Sequence, residues 1–429
     1  MPVRFISLPA AAAAPPFTFA PPRQIGNDFY VNPSFQREID SSIATCTDAT
    51  ACANLKIMRD VPSAYWLDVK SKINGGTTNT SSASGILADA ASRSPAPTVI
   101  FIIYDLPNRD CHAKASNGEI CCTYNADNTC NYDAGGDCAA GIQEYQATYI
   151  DPLAALFAQY DGKVPIVAVI EPDSLPNLAT NMGDPHCGNS ATEAAYKAGI
   201  PYAISQISTK APSVALYLDA AHGGWLGWEN NAQQFASLVS SLGVASKLRG
   251  FSTNVANYQP LGVACPSFDW CLPNNHPNDP CCADPCHIEG QYDPAVNEHQ
   301  FVQVLEHYLS PIVPNPKFII DTGRNGVDGM RADCANWCNI RGAGAGRLPT
   351  ANTDLPAIDA YAWLKTPGES DGCTATLPGG ASCSRYDSFC GSQDSIGSRA
   401  GEPYAPVAGL WFDFAVQGLA KDANWNSTR

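Results

Sequence analysis

The chain has 429 residues, 45% of them hydrophobic, with a formal net charge of −16. That length allows a large core, and no run of about 18 apolar residues offers a membrane span. The acidic balance argues against nucleic acid as a partner, and 18 cysteines argue for an oxidising compartment.

In chain order, residues 1–25 come first, rich in Ala and Pro ("FISLPAAAAAPPF"). They read as a linker-like or processed segment ahead of one domain spanning 26–429. Short apolar runs then recur: "AYWLD" (64–68), "TVIFIIYDLP" (98–107), "IVAVIEPD" (166–173), "SVALYLDAAH" (213–222), "GFSTNVANY" (250–258), "KFIIDTGRN" (317–325) and "AYAWLK" (360–365). Stretches with helical spacing lie between several of them, most clearly 144–160 and 230–242. Alternating strand and helix predicts parallel pairing with right-handed crossovers, and seven strands predict a closed β/α barrel. Active sites of such barrels sit at the carboxyl ends of the strands. Polar residues gather there: Asp68, Tyr104, Asp105, Asp110, Asp173, Asp219, His222, Asn254, Asn257, Asp321, Arg324 and Lys365.

Two long segments, 111–143 and 338–390, break the rhythm and carry cysteines, which argues that they are ordered. Disulfides are the expected state, although sequence alone leaves the pairing open. "CCADPCH" (281–287) has three residues between Cys282 and Cys286, where a haem attachment site needs two. "NADNTCNYDAGGDC" (125–138) spaces oxygen ligands as calcium loops do; a structural Ca²⁺ there competes with a disulfide-held turn. No GxGxxG, P-loop, HExxH or GxSxG motif is read in the chain, and nothing calls for a cofactor.

Asp173 is the first candidate for chemistry. Desolvation behind an apolar strand raises a carboxyl's pKa, and a carboxyl protonated near neutral pH can act as a general acid. The position suits a helix N-cap equally well. Glu171 reads as a structural group or a Ser/Arg partner. "YDLPNRDCHAKASNGE" (104–119) gathers Tyr104, Asp105, Arg109, Asp110, Ser116 and Glu119, and a second carboxylate near Asp173 would raise its pKa further. "WLKTPGESDG" (363–372) offers Lys365, Glu369 and Asp371, and "LDAAHGGWLGW" (218–228) offers Asp219, His222, Trp225 and Trp228. Tryptophans beside a polar cleft suit sugar stacking, although each is equally at home in a core. Three carboxylates with several tryptophans point to glycoside hydrolysis. A non-catalytic carbohydrate-binding protein and a disulfide-rich redox or haem protein are the rival classes.

Taken together and in this order, "YDLPNRDCHAKASNGE", "IEPDSLPNL", "YLDAAHGGWLGW", "TNVANY", "WCN" (337–339) and "KTPGESDG" resemble glycoside hydrolase family 6 across residues 64–415. The 108–138 loop is most similar to the family's bacterial cellobiohydrolases. The resemblance implies a distorted seven-stranded barrel. It implies Asp173 as general acid, Asp110 as the aspartate that keeps it protonated, Asp371 as a base acting directly or through water, and Tyr104 and Ser116 as residues that distort the sugar and position water. It implies glucose subsites lined by Trp66, Asp68, Asn257, Trp225, Trp228, Trp337, Lys365 and Glu369, with Asp219 and His222 near the cleavage point. Asn336 departs from the pattern, since relatives often have Asp before the tryptophan.

Two long loops, with Cys111–Cys187 and Cys338–Cys390 as the family's stapling disulfides, imply a tunnel. The expected activity is then hydrolysis of cellulose β-1,4 bonds with inversion, releasing cellobiose from the non-reducing end; endo cleavage is the alternative. The expected partners are cellulose and cello-oligosaccharides, with neither nucleic acid nor membrane, and no cofactor is required. The implied protein is a secreted monomer.

Overall fold

The computed structural model describes residues 29–272 and 276–426. The expected 1–25 segment lies outside them. Seven parallel strands lie in sequence order: β1 (Tyr65–Leu67), β2 (Val99–Ile103), β3 (Ile166–Ile170), β4 (Ala215–Asp219), β5 (Gly250–Thr253), β6 (Lys317–Asp321) and β7 (Ile358–Ala362). Each corresponds to one of the apolar runs. The runs are unbroken because both faces of the sheet are covered.

Successive residues of one strand serve two cores. Val99, Phe101 and Ile103 pack outwards with Ile166, Ala168 and Ile170 against helices such as Asp151–Tyr160 and Ser190–Lys210. Ile100 and Ile102 point into the barrel with Val167, Val169, Tyr217, Ile319 and Ala360. Tyr104 continues that inward row and reaches the carboxyl end. The expected helix over 144–160 is a short π-helical turn, Tyr145–Ile150, followed by the α-helix Asp151–Tyr160.

The barrel is not closed by a ladder. β1, only three residues long, pairs with β2 alone. The β1/β7 seam is bridged by single bonds instead: Ala64 N to Trp363 O at 2.8 Å and Trp66 Nε1 to Leu364 O at 2.9 Å.

All 18 cysteines are paired. Cys111–Cys187 and Cys338–Cys390 are both present. The others are Cys46–Cys52, Cys121–Cys130, Cys122–Cys138, Cys265–Cys281, Cys271–Cys282, Cys286–Cys334 and Cys373–Cys383. Three of these tie down a further long connection, between β5 and the helix Glu298–Leu309, which the sequence rhythm does not announce. No helix among the described residues is long and apolar enough to cross a membrane.

Candidate active site

A cavity of about 450 Å³ opens at the carboxyl ends of the strands. Its walls include Asp173, Asp110, Asp371, Tyr104 and Ser116, together with Trp66, Asp68, His222, Trp225, Asn257, Trp337, Lys365 and Glu369. The 111–143 loop contributes His112, Ala113 and Ser116 from one side; Trp337, Arg385 and Phe389 come from the other. The two loops meet. Lys114 N donates to Asp387 Oδ2 at 2.9 Å, and Arg385 Nη1 donates to Asn117 O at 3.0 Å. Ala115 packs beside the Cys338–Cys390 bridge. The cavity is therefore roofed.

The end of β3 breaks the in-out alternation. Glu171 and Asp173 both take left-handed φ, at 47° and 64°. Glu171 is thereby turned away from the cavity and fully buried. It accepts from Tyr145 Oη at 2.7 Å and from the amides of Asp105 and Leu106, and burial pushes its pKa up to about 7. It is structural, as expected, but its partners are a tyrosine and backbone amides. Asp173 does precede the helix Ser174–Thr180, yet its side chain makes no capping bond. The N-cap reading fails on that geometry.

Asp173 is raised well above the usual carboxylate range by burial, then by the charges of Asp219 and Asp110. Asp219 accepts from Asp173 N at 2.9 Å, Ala221 N at 3.0 Å and Ser252 Oγ at 3.2 Å. These donors favour its ionised form, although burial still lifts its pKa to about 6. Among the described residues Asp173 has no such donors, so of the two carboxyls it is the one more readily protonated. Asp110 is held in left-handed backbone at φ 59° and accepts from Ser116 N at 2.7 Å; burial lifts it to about 6. Arg109 braces this loop. Its guanidinium lies 4.5 Å over the Tyr104 ring and donates to Asp68 O, Tyr104 O, Ser116 O and Asp105. Tyr104 meets Trp66 edge-on at 5.2 Å.

Asp371 is differently placed. Arg324 Nη1 lies 2.7 Å from both of its oxygens, and Oδ2 also accepts from Tyr258 Oη at 2.9 Å and Asn339 N at 2.8 Å. Of this cage, sequence reasoning placed only Arg324 at a strand end; Tyr258 and Asn339 lay within quoted motifs without a role. Arg385, another wall residue, comes from the irregular loop and carried no periodic signal.

Two expected subsite residues stand apart from the cavity. Asp219 is 1% exposed and sits behind Asp173, bonded to its amide. Trp228 is half-buried beyond the wall, because its Nε1 donates to Gln291 O at 3.1 Å in the β5 connection. Asn336 donates to Asp394 Oδ2 at 2.7 Å, so the position is buried in hydrogen bonds without a charge of its own.

The expected absence of a GxSxG motif is corrected by residues 368–372 ("GESDG"), which fit that pattern of serine hydrolases. Ser370 is fully buried, with Gly372 O and Pro406 O both within reach as acceptors for its one hydroxyl proton, so it is not exposed as a nucleophile. In the loop considered for calcium, two side-chain oxygens are engaged within the loop: Asp127 Oδ1 accepts from Thr129 N and Oγ1, and Asn131 Oδ1 from Asp133 N. The one cluster with metal-ligand spacing among the described residues, Cys265, Cys271, Cys281 and Cys282, is consumed by two disulfides.

A proton-bearing carboxyl beside further carboxylates, in a roofed, aromatic-walled cavity on a parallel β/α barrel, is the layout of a glycoside hydrolase site. Residues 24–423 match the family described as "Glycosyl hydrolases family 6", and the chain belongs to that family. It is 35% identical over 405 residues to "Probable 1,4-beta-D-glucan cellobiohydrolase C" of Neosartorya fischeri, covering 93% of this chain and 78% of that one. It is 35% identical to "1,4-beta-D-glucan cellobiohydrolase C" of Emericella nidulans, covering 98% and 80%. Among solved structures, Cel6A cellobiohydrolase II of Humicola insolens in complex with glucose and cellotetraose is similar at 30% identity, TM-score 0.72, covering 93% of this chain and 98% of that one. These relatives are fungal.

Proposed function

We propose that this chain hydrolyses β-1,4-glucosidic bonds of cellulose with inversion, releasing cellobiose from the non-reducing chain end. The observation that carries the reading is the Asp173 carboxyl, its pKa raised by burial and then by the charges of Asp219 and Asp110, inside a cavity roofed by two hydrogen-bonded loops. The relatives' names point the same way.

In this reading Asp173 gives its proton to the glycosidic oxygen as the C1–O bond breaks. A water attacks C1 from the opposite face. Asp371, with both oxygens engaged by Arg324, Tyr258 and Asn339, is badly placed as a nucleophile. It takes the water's proton through an intervening water. Tyr104 and Ser116 flank the reacting sugar, and Trp66, Trp225 and Trp337 offer faces to glucosyl rings. A roofed cavity admits a chain end more readily than a chain interior, which favours exo over endo cleavage. The disulfides fit secretion into an oxidising medium, and the enzyme works as a monomer on its polymer. Residues 26–429 form its catalytic domain, preceded by a linker-like segment.

The test combines turnover with stereochemistry. Cellohexaose should give mainly cellobiose, with the α-anomer appearing first by NMR. A spread of oligomers would make the enzyme endo-acting, and initial β-anomer would overturn inversion. Asp173→Ala should lose on the order of 10²–10⁴-fold in kcat while still binding cello-oligosaccharide; undiminished turnover would remove Asp173 as the acid.

A further inference from the structure

His112 is the second residue after Asp110 and lines the cavity from the roof loop. Its Nδ1 lies 2.8 Å from Asp184 Oδ2, and its side chain is 52% exposed. Asp184 follows the helix Ser174–Thr180, which Asp173 heads, and precedes Cys187, the partner of Cys111. The disulfide and the His112–Asp184 pair thus bridge the same two segments side by side. The disulfide already sets the spacing of the two backbones. What the second bond adds is the orientation of an imidazole.

Asp184 is itself held. Its Oδ1 accepts from His186 N at 2.8 Å and lies 3.9 Å from His186 Nδ1, and His186 Nε2 faces Asp133 at 3.2 Å. From the opposite loop, Arg385 lines the same cavity and Asp387 holds the amide of Lys114. A carboxylate on Nδ1 places the ring proton there, so Nε2 of the neutral ring is an acceptor; the charged ring would donate instead. Nε2 has no hydrogen-bond partner in the described residues. In a sugar-binding cavity, the groups that can meet it are hydroxyls.

We propose that His112, oriented by Asp184, hydrogen-bonds a glucosyl hydroxyl through Nε2 and so contributes to substrate binding. This rests on the β-glucan hydrolase reading. Both carboxylate-bearing segments keep their disulfide without it, so its loss should weaken binding and spare the chemical step.

The experiment compares wild type with His112→Ala, His112→Gln and Asp184→Ala on cellotetraose and cellohexaose. His112→Ala should raise KM on the order of fivefold, equivalent to about 1 kcal/mol for one neutral hydrogen bond, with kcat within about twofold. Glutamine, whose amide can reach the same hydroxyl, should restore part of the affinity. Asp184→Ala should reproduce part of the KM rise, although Asp184 does not line the cavity. Unchanged KM in His112→Ala would overturn the proposal, and so would a fall in kcat alone. Calorimetry with cellotetraose, comparing Asp173→Ala with Asp173→Ala/His112→Ala, should show the same loss of affinity without turnover; equal affinities would overturn it. Failure of Asp173→Ala itself to bind would count against the β-glucan reading instead.

Discussion

Asp173 donates its amide to Asp219 Oδ2 at 2.9 Å, yet the two carboxyls are solvated differently by the protein. Asp219 has amide and hydroxyl donors; Asp173 has none among the described residues and feels two anionic neighbours. In Asp219→Asn one of those charges is gone, so the pKa of Asp173 falls. A general acid must be protonated to act, and the alkaline limb of the kcat profile should therefore move to lower pH. An unmoved limb, or one moved upward, would remove Asp219 from the proton balance. Asp173 itself was legible in the sequence because an apolar run ending in carboxylates is costly without a purpose. The fact that it does not cap its helix was not legible, since that depends on φ 64° at one residue. The cage around Asp371 was equally hidden: Arg324, Tyr258 and Asn339 come from three separate parts of the chain, and their convergence is tertiary.

The strands could be read directly because a parallel strand covered on both faces has no polar interruption to obscure it. Loops have no period. The two that form the roof were visible through their length and cysteines, and their contact with each other was not. That contact rests on few bonds, chiefly Lys114 N to Asp387 Oδ2 and Arg385 to Asn117 O. Asp387→Ala should loosen the roof while both staples remain. Internal cuts in a substituted soluble cellulose should then rise several-fold relative to cellobiose release, read as viscosity loss per reducing end. An unchanged ratio would separate exo action from roof closure. The third disulfide-bound connection, after β5, escaped notice because its cysteines read first as a near miss to haem attachment; in the structure it carries the carbonyl that holds Trp228 beyond the cavity wall.

Across the molecule, burial leaves several carboxyls reluctant to ionise: Glu171 and Glu298 are pushed to about 7 and Asp293 to about 8. In the unfolded chain these groups titrate near pH 4. Between about pH 6.5 and 8 the native state still holds protons that the unfolded state has released, so stability falls as pH rises. His222, lowered to about 3 by burial, works in the opposite direction but only below its unfolded value of about 6.5. Tm should accordingly drop between pH 6.5 and 8 by calorimetry; a rise would contradict the assignment of these protons. The barrel as a whole was legible from its alternation of strands and helices, but its seam was not, since a strand of three residues reads much like one of five. At that seam, the indole of Trp66 faces the cavity and its N–H is one of the few bonds joining the first and last strands. The wall of the binding site is thus also a rivet of the sheet. Replacing Trp66 by Ala removes a sugar platform and slackens the barrel in one stroke. Any activity lost in that variant measures architecture as much as affinity, and Trp66→Phe would lose only the rivet.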